Sequence, residues 1–201
     1  QAHFIPEVLG AMGGLTKATF HIGQHRDIVP TLFRAYDIAT GGEPGPVFIE
    51  LPVNLQIFPG DIDELPLYRR PAAAEPGQHS EIERAAALLV NAARPGLFVG
   101  WGARDAVAEV MEIAELLEAP VATTLQGLSA FPANHPLHAG FGFGQAAVPA
   151  ARNAFSGTDA LLAVGTRFAE IATGSYGITV PDNLVHVDIN PEVFSANYPA
   201  K

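Results

Sequence analysis

The chain contains no cysteine among its 201 residues, which excludes disulfide bridges, thiol catalysis and thiolate metal sites. Lysine and arginine total only 11 against 21 aspartates and glutamates, so a nucleic-acid polyanion is not expected as the main partner. No run approaches the roughly 18 apolar residues of a membrane span. With 48% hydrophobic and 16% charged residues, we expect a well-packed cytoplasmic protein that partners neither membranes nor nucleic acids.

Two short apolar runs in the last third stop abruptly at polar turns, as buried parallel strands do. Residues 160–164 are followed by Gly165, Thr166 and Arg167, and residues 184–188 end in Asp188. In α/β sheets, ligands bind beyond the carboxyl ends of the strands. A threonine–arginine pair suits a phosphate there, and a carboxylate suits ribose hydroxyls. The sequence therefore predicts a nucleotide site at this position.

The remaining pattern alternates helices with strands, which predicts an α/β fold with a doubly wound parallel sheet. Residues 1–56 predict a helix whose apolar face includes Ile28, Leu32 and Ala35, then a Gly/Pro turn and a strand within Glu43–Pro52. This is a partial α/β segment too small to bury both of its faces. Residues 57–79 are rich in proline and predict an extended linker. Beyond them, the predicted strands are 97–100, 121–125, 160–164 and 184–188, and the predicted helices are 80–93, 105–118 and 145–155. A long glycine-rich loop is expected up to Gly144.

Five motifs in this order and spacing resemble those of the thiamine-diphosphate-dependent enzymes, and especially the acetolactate synthase large subunit. They are Gly42–Pro52, Ala119–Pro132, His135–Leu137, Gly165–Phe168 and Val185–Pro191. The resemblance implies that residues 1–56 are the C-terminal part of a pyrimidine-binding domain. It also implies that residues 80–201 form a Rossmann-like central domain whose last strand is truncated. Since the chain starts at Gln1 without an initiator methionine, we expect an excised piece of a longer parent.

The resemblance implies a parent that uses thiamine diphosphate and Mg²⁺ to decarboxylate one 2-oxo acid and condense it with another, as in branched-chain amino acid biosynthesis. The family's Gly-Asp-Gly…Asn motif is missing, and only Gly60-Asp61-Ile62 resembles it. Glu50 ends a strand and is expected to be a surface carboxylate. No catalytic or metal-binding residue is therefore assigned, and the chain alone is expected to be inactive. Its expected partners are the remaining domains of the parent and further copies of itself.

In acetolactate synthases the central domain carries FAD, and in some relatives it carries ADP. The resemblance assigns this role to eight residues: Gly100, Gly102, Thr124, Leu125, Gly165, Thr166, Arg167 and Asp188. Three simpler interpretations stay open. Gly100–Gly102 could form an ordinary tight turn, Arg167 could pair with Glu170, and Asp188 could only start the turn at Asn190.

Two other functions are compatible with an α/β sheet. A stand-alone nucleotide-dependent oxidoreductase is disfavoured because Asp105 stands where the third glycine of Gly-x-Gly-x-x-Gly belongs. A ligand-free interaction domain would keep the fold without a cofactor. His186 lies between two valines and is expected to be a hydrogen-bonded structural residue.

Overall fold

The computed structural model describes residues 6–72 and 79–201. The chain divides into two compact units, residues 1–75 and 76–201. Of the predicted linker over 57–79, residues 58–72 contain no helix or strand, and residues 73–78 lie outside the described part. Every helix of the described residues is too short or too polar to cross a lipid bilayer.

The first unit is a small α/β arrangement around two parallel strands. Its elements are α1 (Pro6–Gly13), β1 (Ala18–His21), α2 (Ile28–Thr40), β2 (Val47–Glu50) and α3 (Val53–Ile57). The predicted helix and strand are found as α2 and β2, whereas β1 was not predicted. Every residue of β2 is only half-buried, as expected for a sheet segment too small to cover both of its faces.

One lysine closes the C-terminal end of α2. Lys17 Nζ donates to the carbonyl oxygens of Ile38, Gly41 and Glu43, the last two at 2.6 and 2.9 Å. The final carbonyl groups of a helix have no partner within the helix, and a cation near them also interacts favourably with the helix dipole. Lys17 therefore ties the segment before β1 to the end of α2.

The second unit is a five-stranded, entirely parallel sheet, which confirms the predicted fold class. Its elements are α4 (His79–Val90), β3 (Pro95–Val99), α5 (Val107–Leu116), β4 (Val121–Thr123), β5 (His138–Phe141), α6 (Pro149–Ala154), β6 (Ala160–Val164) and β7 (Asn183–Val187). The strand order is β5-β4-β3-β6-β7. The chain thus reverses direction across the sheet between β3 and β6, the point where doubly wound sheets bind ligands.

Alternating side chains of the strands fill two separate cores, one on each face of the sheet. Leu97 and Val99 of β3 pack in one core with α4 and α5, while Phe98 between them packs in the other with α6. Burial on both faces explains the continuous apolar runs of these strands. The rigid sheet fixes where each strand ends, and therefore where the following loops begin.

The glycine-rich loop predicted up to Gly144 was partly wrong, because it contains β5. This strand reads His-Ala-Gly-Phe, without any β-branched residue, and Gly140 has a φ of 111°. The register with β4 shifts at Val121/Ala122, which accommodates the irregular strand. Pairing with β4 therefore overrides a poor strand propensity. The predicted helix 145–155 is shortened to α6, with a single turn of 3-10 helix at Gly144–Ala146 before it.

Candidate functional site at the carboxyl edge of the sheet

All eight predicted site residues lie just beyond the carboxyl ends of four neighbouring strands, here called the carboxyl edge. Gly100 and Gly102 follow β3, Thr124 and Leu125 follow β4, Gly165, Thr166 and Arg167 follow β6, and Asp188 follows β7. Val164 pairs with Val187, and the N–H of Gly165 donates to Val187 O at 2.8 Å. Arg167 and Asp188 therefore leave adjacent strands at the same edge.

The glycines of three loops pack directly against one another. A Cβ on Gly100 would overlap the carbonyl oxygen of Gly165, and one on Gly102 would lie 2.8 Å from the Cα of Gly165. A Cβ on Gly127 would lie 2.7 Å from the carbonyl oxygen of Val99. The loops after β3, β4 and β6 thus touch backbone to backbone, and only glycine permits that approach.

The backbone N–H groups of these glycines bind other backbone atoms of the protein. Gly100 N–H donates to Val164 O at 2.8 Å, and Gly102 N–H donates to Gly165 O at 3.1 Å. Trp101–Ala103 form a 3-10 turn, so the segment has the geometry of the tight turn that the sequence left open. A ligand at the carboxyl edge would therefore meet side chains rather than these glycine amides.

The backbone around Arg167 is clamped by residues from distant parts of the sequence. Asn197 Nδ2 donates to the carbonyl oxygens of Arg167 at 3.1 Å and Phe168 at 3.3 Å. Phe168 is only 2% exposed and has a φ of 50°, a left-handed conformation rare for a bulky residue. Such strain persists only where the surrounding structure enforces it. The contacts of Asn197 and the buried Phe168 therefore keep the backbone of the exposed Arg167 at the carboxyl edge.

His186 has the structural role predicted from the sequence. Its Nε2 lies 2.7 Å from the carbonyl oxygen of Thr166, and its ring packs edge-on against Phe168. Sequence analysis assigned no site role to Phe168, the last residue of the Gly165–Phe168 motif, or to Asn197. Their contacts join positions 18 to 30 residues apart, so no local pattern could have indicated them.

Three polar side chains of the site already stabilise local turns. Thr124 Oγ1 accepts from Gly127 N–H at 3.0 Å, and Thr166 Oγ1 accepts from Phe168 N–H at 3.3 Å. Asp188 Oδ1 accepts from Asn190 N–H at 2.9 Å, which is the turn interpretation left open above. A hydroxyl that accepts can still donate, and a carboxylate has a second oxygen. The second carboxylate oxygen of the half-buried Asp188 can therefore still meet a ligand, whereas Thr124 and Thr166 are buried, at 5% and 3% exposure.

Apolar side chains also emerge at the carboxyl edge. Trp101 is 54% exposed, Leu125 is 49% exposed, and Val187 and Ile189 at the end of β7 are also exposed. The guanidinium of Arg104 stacks 3.7 Å from the centre of the Trp101 ring. Apolar surface with a few polar groups is typical of small-molecule sites.

Two cavities of the described residues are lined by residues other than the eight predicted ones. A cavity of about 250 Å³ is lined by Phe143, Phe155 and Arg152, and one of about 290 Å³ by Arg84 and Asp159 among others. Within the ranges described, no three histidine, aspartate or glutamate side chains come together as a metal site.

Comparison with known proteins identifies the family. Residues 82–201 match the model of the central domain of thiamine pyrophosphate enzymes. The chain belongs to this family. It is 35% identical to the probable acetolactate synthase large subunit of Methanocaldococcus jannaschii, over 95% of this chain and 34% of that protein. It is also 35% identical to the acetolactate synthase large subunit of Corynebacterium glutamicum, over 92% of this chain and 30% of that protein.

The fold of this thiamine pyrophosphate enzyme chain matches a solved structure as well. An X-ray structure from Mycobacterium smegmatis, described as thiamin diphosphate-dependent, superposes with a TM-score of 0.75 at 22% identity. It covers 98% of this chain and 38% of the other. The chain therefore spans about a third of the length of the relatives that it matches.

Proposed function

We propose that the chain is the scaffold portion of a parent enzyme that decarboxylates one 2-oxo acid on thiamine diphosphate and condenses it with a second. Its similarity to acetolactate synthase large subunits over more than nine-tenths of its length supports this proposal. The chain spans about a third of these relatives. We propose that this portion alone is inactive. The remaining domains of the parent are its partners.

The described residues do not fit the Mg²⁺–diphosphate end of the cofactor. Such a site needs several oxygen ligands around one cation. Gly60 of the Gly60-Asp61-Ile62 segment lies against the ring of His25, and Asp61 is exposed. Across the described ranges, no group of three metal-binding side chains converges. The diphosphate and its metal would thus be held by other parts of the parent.

The carboxyl edge of the second unit fits a nucleotide better, and this is the local role that we propose for it. The observation that carries the proposal is the convergence of the predicted residues at the reversal point between β3 and β6. Arg167 offers a forked cation to phosphate, while the half-buried Asp188 offers a carboxylate to the ribose hydroxyls. FAD and ADP both carry these groups.

A thermal-shift titration of the 201-residue chain with FAD and with ADP tests this role. A ligand present at about 100 times its Kd should raise the melting temperature on the order of 10 °C. Arg167→Ala should weaken binding about tenfold or more, because a charge-assisted hydrogen bond is lost. Arg84→Ala is the matched control. Arg84 is an exposed arginine of α4 that pairs with Glu81 at 3.0 Å, beside residues at the amino ends of β6 and β7.

Failure of both nucleotides to shift the melting temperature would favour the ligand-free interaction domain. The internal hydrogen bonds of Gly100 and Gly102 are the observation in its favour. A stand-alone oxidoreductase is a weaker candidate, because Asp105 replaces the third glycine of the dinucleotide fingerprint. Hydride transfer to or from a nicotinamide would be needed to support it.

We also propose that the chain self-associates through the outer edge of β7. β7 is the last strand in the order of the described sheet, and Lys201 N–H, which donates to Leu184 O at 2.9 Å, occupies only one position of its outer edge. A strand edge is a template for pairing with another chain. A sharply monomeric sedimentation profile at high concentration would contradict self-association.

A further inference from the structure

Trp101 occupies a fixed position at the reversal point of the sheet. Its two neighbours, Gly100 and Gly102, donate their N–H groups to Val164 O and Gly165 O. The positions where these glycines would carry a Cβ both face Gly165. The side chain between them does not fill the space between the loops, since 54% of Trp101 is exposed.

One face of the exposed indole is covered by a cation. The guanidinium of Arg104 lies 3.7 Å from the ring centre, and Arg104 Nε pairs with Asp105 Oδ2 at 3.3 Å. A cation over the face of tryptophan is attractive, and it restricts the orientation of the ring. The contact favours one orientation of the ring before any ligand arrives, and to that extent it reduces the entropy lost on binding.

The loops after β4, β6 and β7 place further side chains near Trp101. Gly127 packs against Gly100, which places the loop after β4 beside the Trp101 turn, and Leu125 of that loop is 49% exposed. Arg167 and Asp188 follow β6 and β7 at the same edge. The carboxyl edge thus combines an aromatic plane, an aliphatic side chain, a cation and a carboxylate, which together match the chemistry of a nucleotide.

We propose that Trp101, backed by Arg104, is the platform on which the planar ring of the bound nucleotide stacks. This inference rests on the nucleotide role proposed above and names the side chain that recognises the ring. In this turn the N–H groups of Gly100 and Gly102 already donate to backbone carbonyl groups. Stacking on Trp101 explains how a nucleotide could still be held there.

Trp101 is the single tryptophan of the chain, so its fluorescence reports the site directly. We expect ADP to quench Trp101 emission, excited at 295 nm, with the same Kd that thermal shift gives. ADP is the probe because it absorbs too far in the ultraviolet to accept energy from tryptophan, whereas a flavin would quench without stacking. Stacking on an aromatic side chain is worth about 5- to 150-fold in affinity, which Trp101→Ala should lose. Trp101→Phe should retain part of that affinity, and Arg104→Gln should cost about two- to fivefold.

The outcomes distinguish the Trp101 platform from the nucleotide site on which it rests. If ADP raises the melting temperature but Trp101→Ala binds it as tightly as the unmodified chain, or more tightly, the platform is wrong and the nucleotide site remains. If neither ADP nor FAD binds the unmodified chain, both are wrong. The exposure of Trp101 means that its replacement should leave the core intact, and the far-UV circular dichroism of the variant checks this.

Discussion

A single methyl group on Gly100 should destabilise the second unit by pushing its loops apart. In Gly100→Ala, the new Cβ would overlap Gly165 O and lie 2.7 Å from Gly165 C and 2.8 Å from Thr166 Cα. All three are backbone atoms, so no side chain can rotate away to relieve the overlap. The φ of Gly100 is −100°, so alanine adds no strain of its own there and the overlap alone is tested.

The loss of stability in Gly100→Ala is estimated from the loops that must separate to accommodate the new methyl group. Overpacking in a well-packed region costs about 1–3 kcal/mol. Separating the loops also weakens the bonds from Gly100 N–H to Val164 O and from Gly102 N–H to Gly165 O, each worth about 1 kcal/mol. Alanine lowers the entropy of the unfolded chain, which offsets about 0.4–1 kcal/mol. We expect the free energy of unfolding to fall by about 3 kcal/mol.

Urea unfolding followed by Trp101 fluorescence measures this loss in the second unit alone, because the chain has no other tryptophan. With a slope of about 1–3 kcal/mol per molar urea, the midpoint should fall by about 1–3 M. Gly157→Ala is the matched control in the same unit. Its φ is 76°, and its new Cβ would meet only the Arg94 side chain, with Nη1 nearest at 3.6 Å, so it reports backbone strain of about 1 kcal/mol without an overlap. If Gly100→Ala costs no more than Gly157→Ala, the interlocked loops do not support the unit as we argue.

Two further substitutions test contacts outside the site. Lys17→Met removes the donor that three carbonyl groups share and should destabilise the first unit by about 1 kcal/mol, measured as lost hydrogen-exchange protection in the last turn of α2. Hydrogen bonds from the N–H groups of Arg94 and Ala93 hold the pKa of Asp159 below its ordinary value of 3.8. Asp159 should therefore stabilise the protein relative to Asp159→Asn above about pH 4, and this advantage should disappear as the pH falls through the lowered pKa of the folded state. Urea midpoints of the two proteins, compared from pH 7 downwards, would show the loss.

The sequence predicted the strands that are buried on both faces better than the others. Residues 160–164 were expected as a strand and form β6, because a leucine- and valine-rich run between turn residues has few alternatives. β7 was displaced by one residue from its predicted position. β5 was missed because Gly140 interrupts it, and only the neighbouring β4 makes that segment a strand.

The placement of the site followed from one general rule, and its internal geometry did not. Parallel strands share a carboxyl edge, so residues that follow β3, β4, β6 and β7 had to lie near one another. The clamp on Arg167 depends on Asn197, which is 30 residues away in sequence, and on the strained φ of Phe168. Neither feature has a sequence pattern that could have predicted it.

The glycines at the carboxyl edge illustrate why a short motif leaves the mechanism open. A glycine in the sequence indicates that something approaches the backbone closely, whether a phosphate or another loop. At Gly100 and Gly102 the approaching group is the loop that starts at Gly165. Because that contact faces inward and fixes the turn, the side chain between the two glycines is left on the outside. The same packing that occupies these amides therefore leaves Trp101 exposed at the edge where we propose that a nucleotide binds.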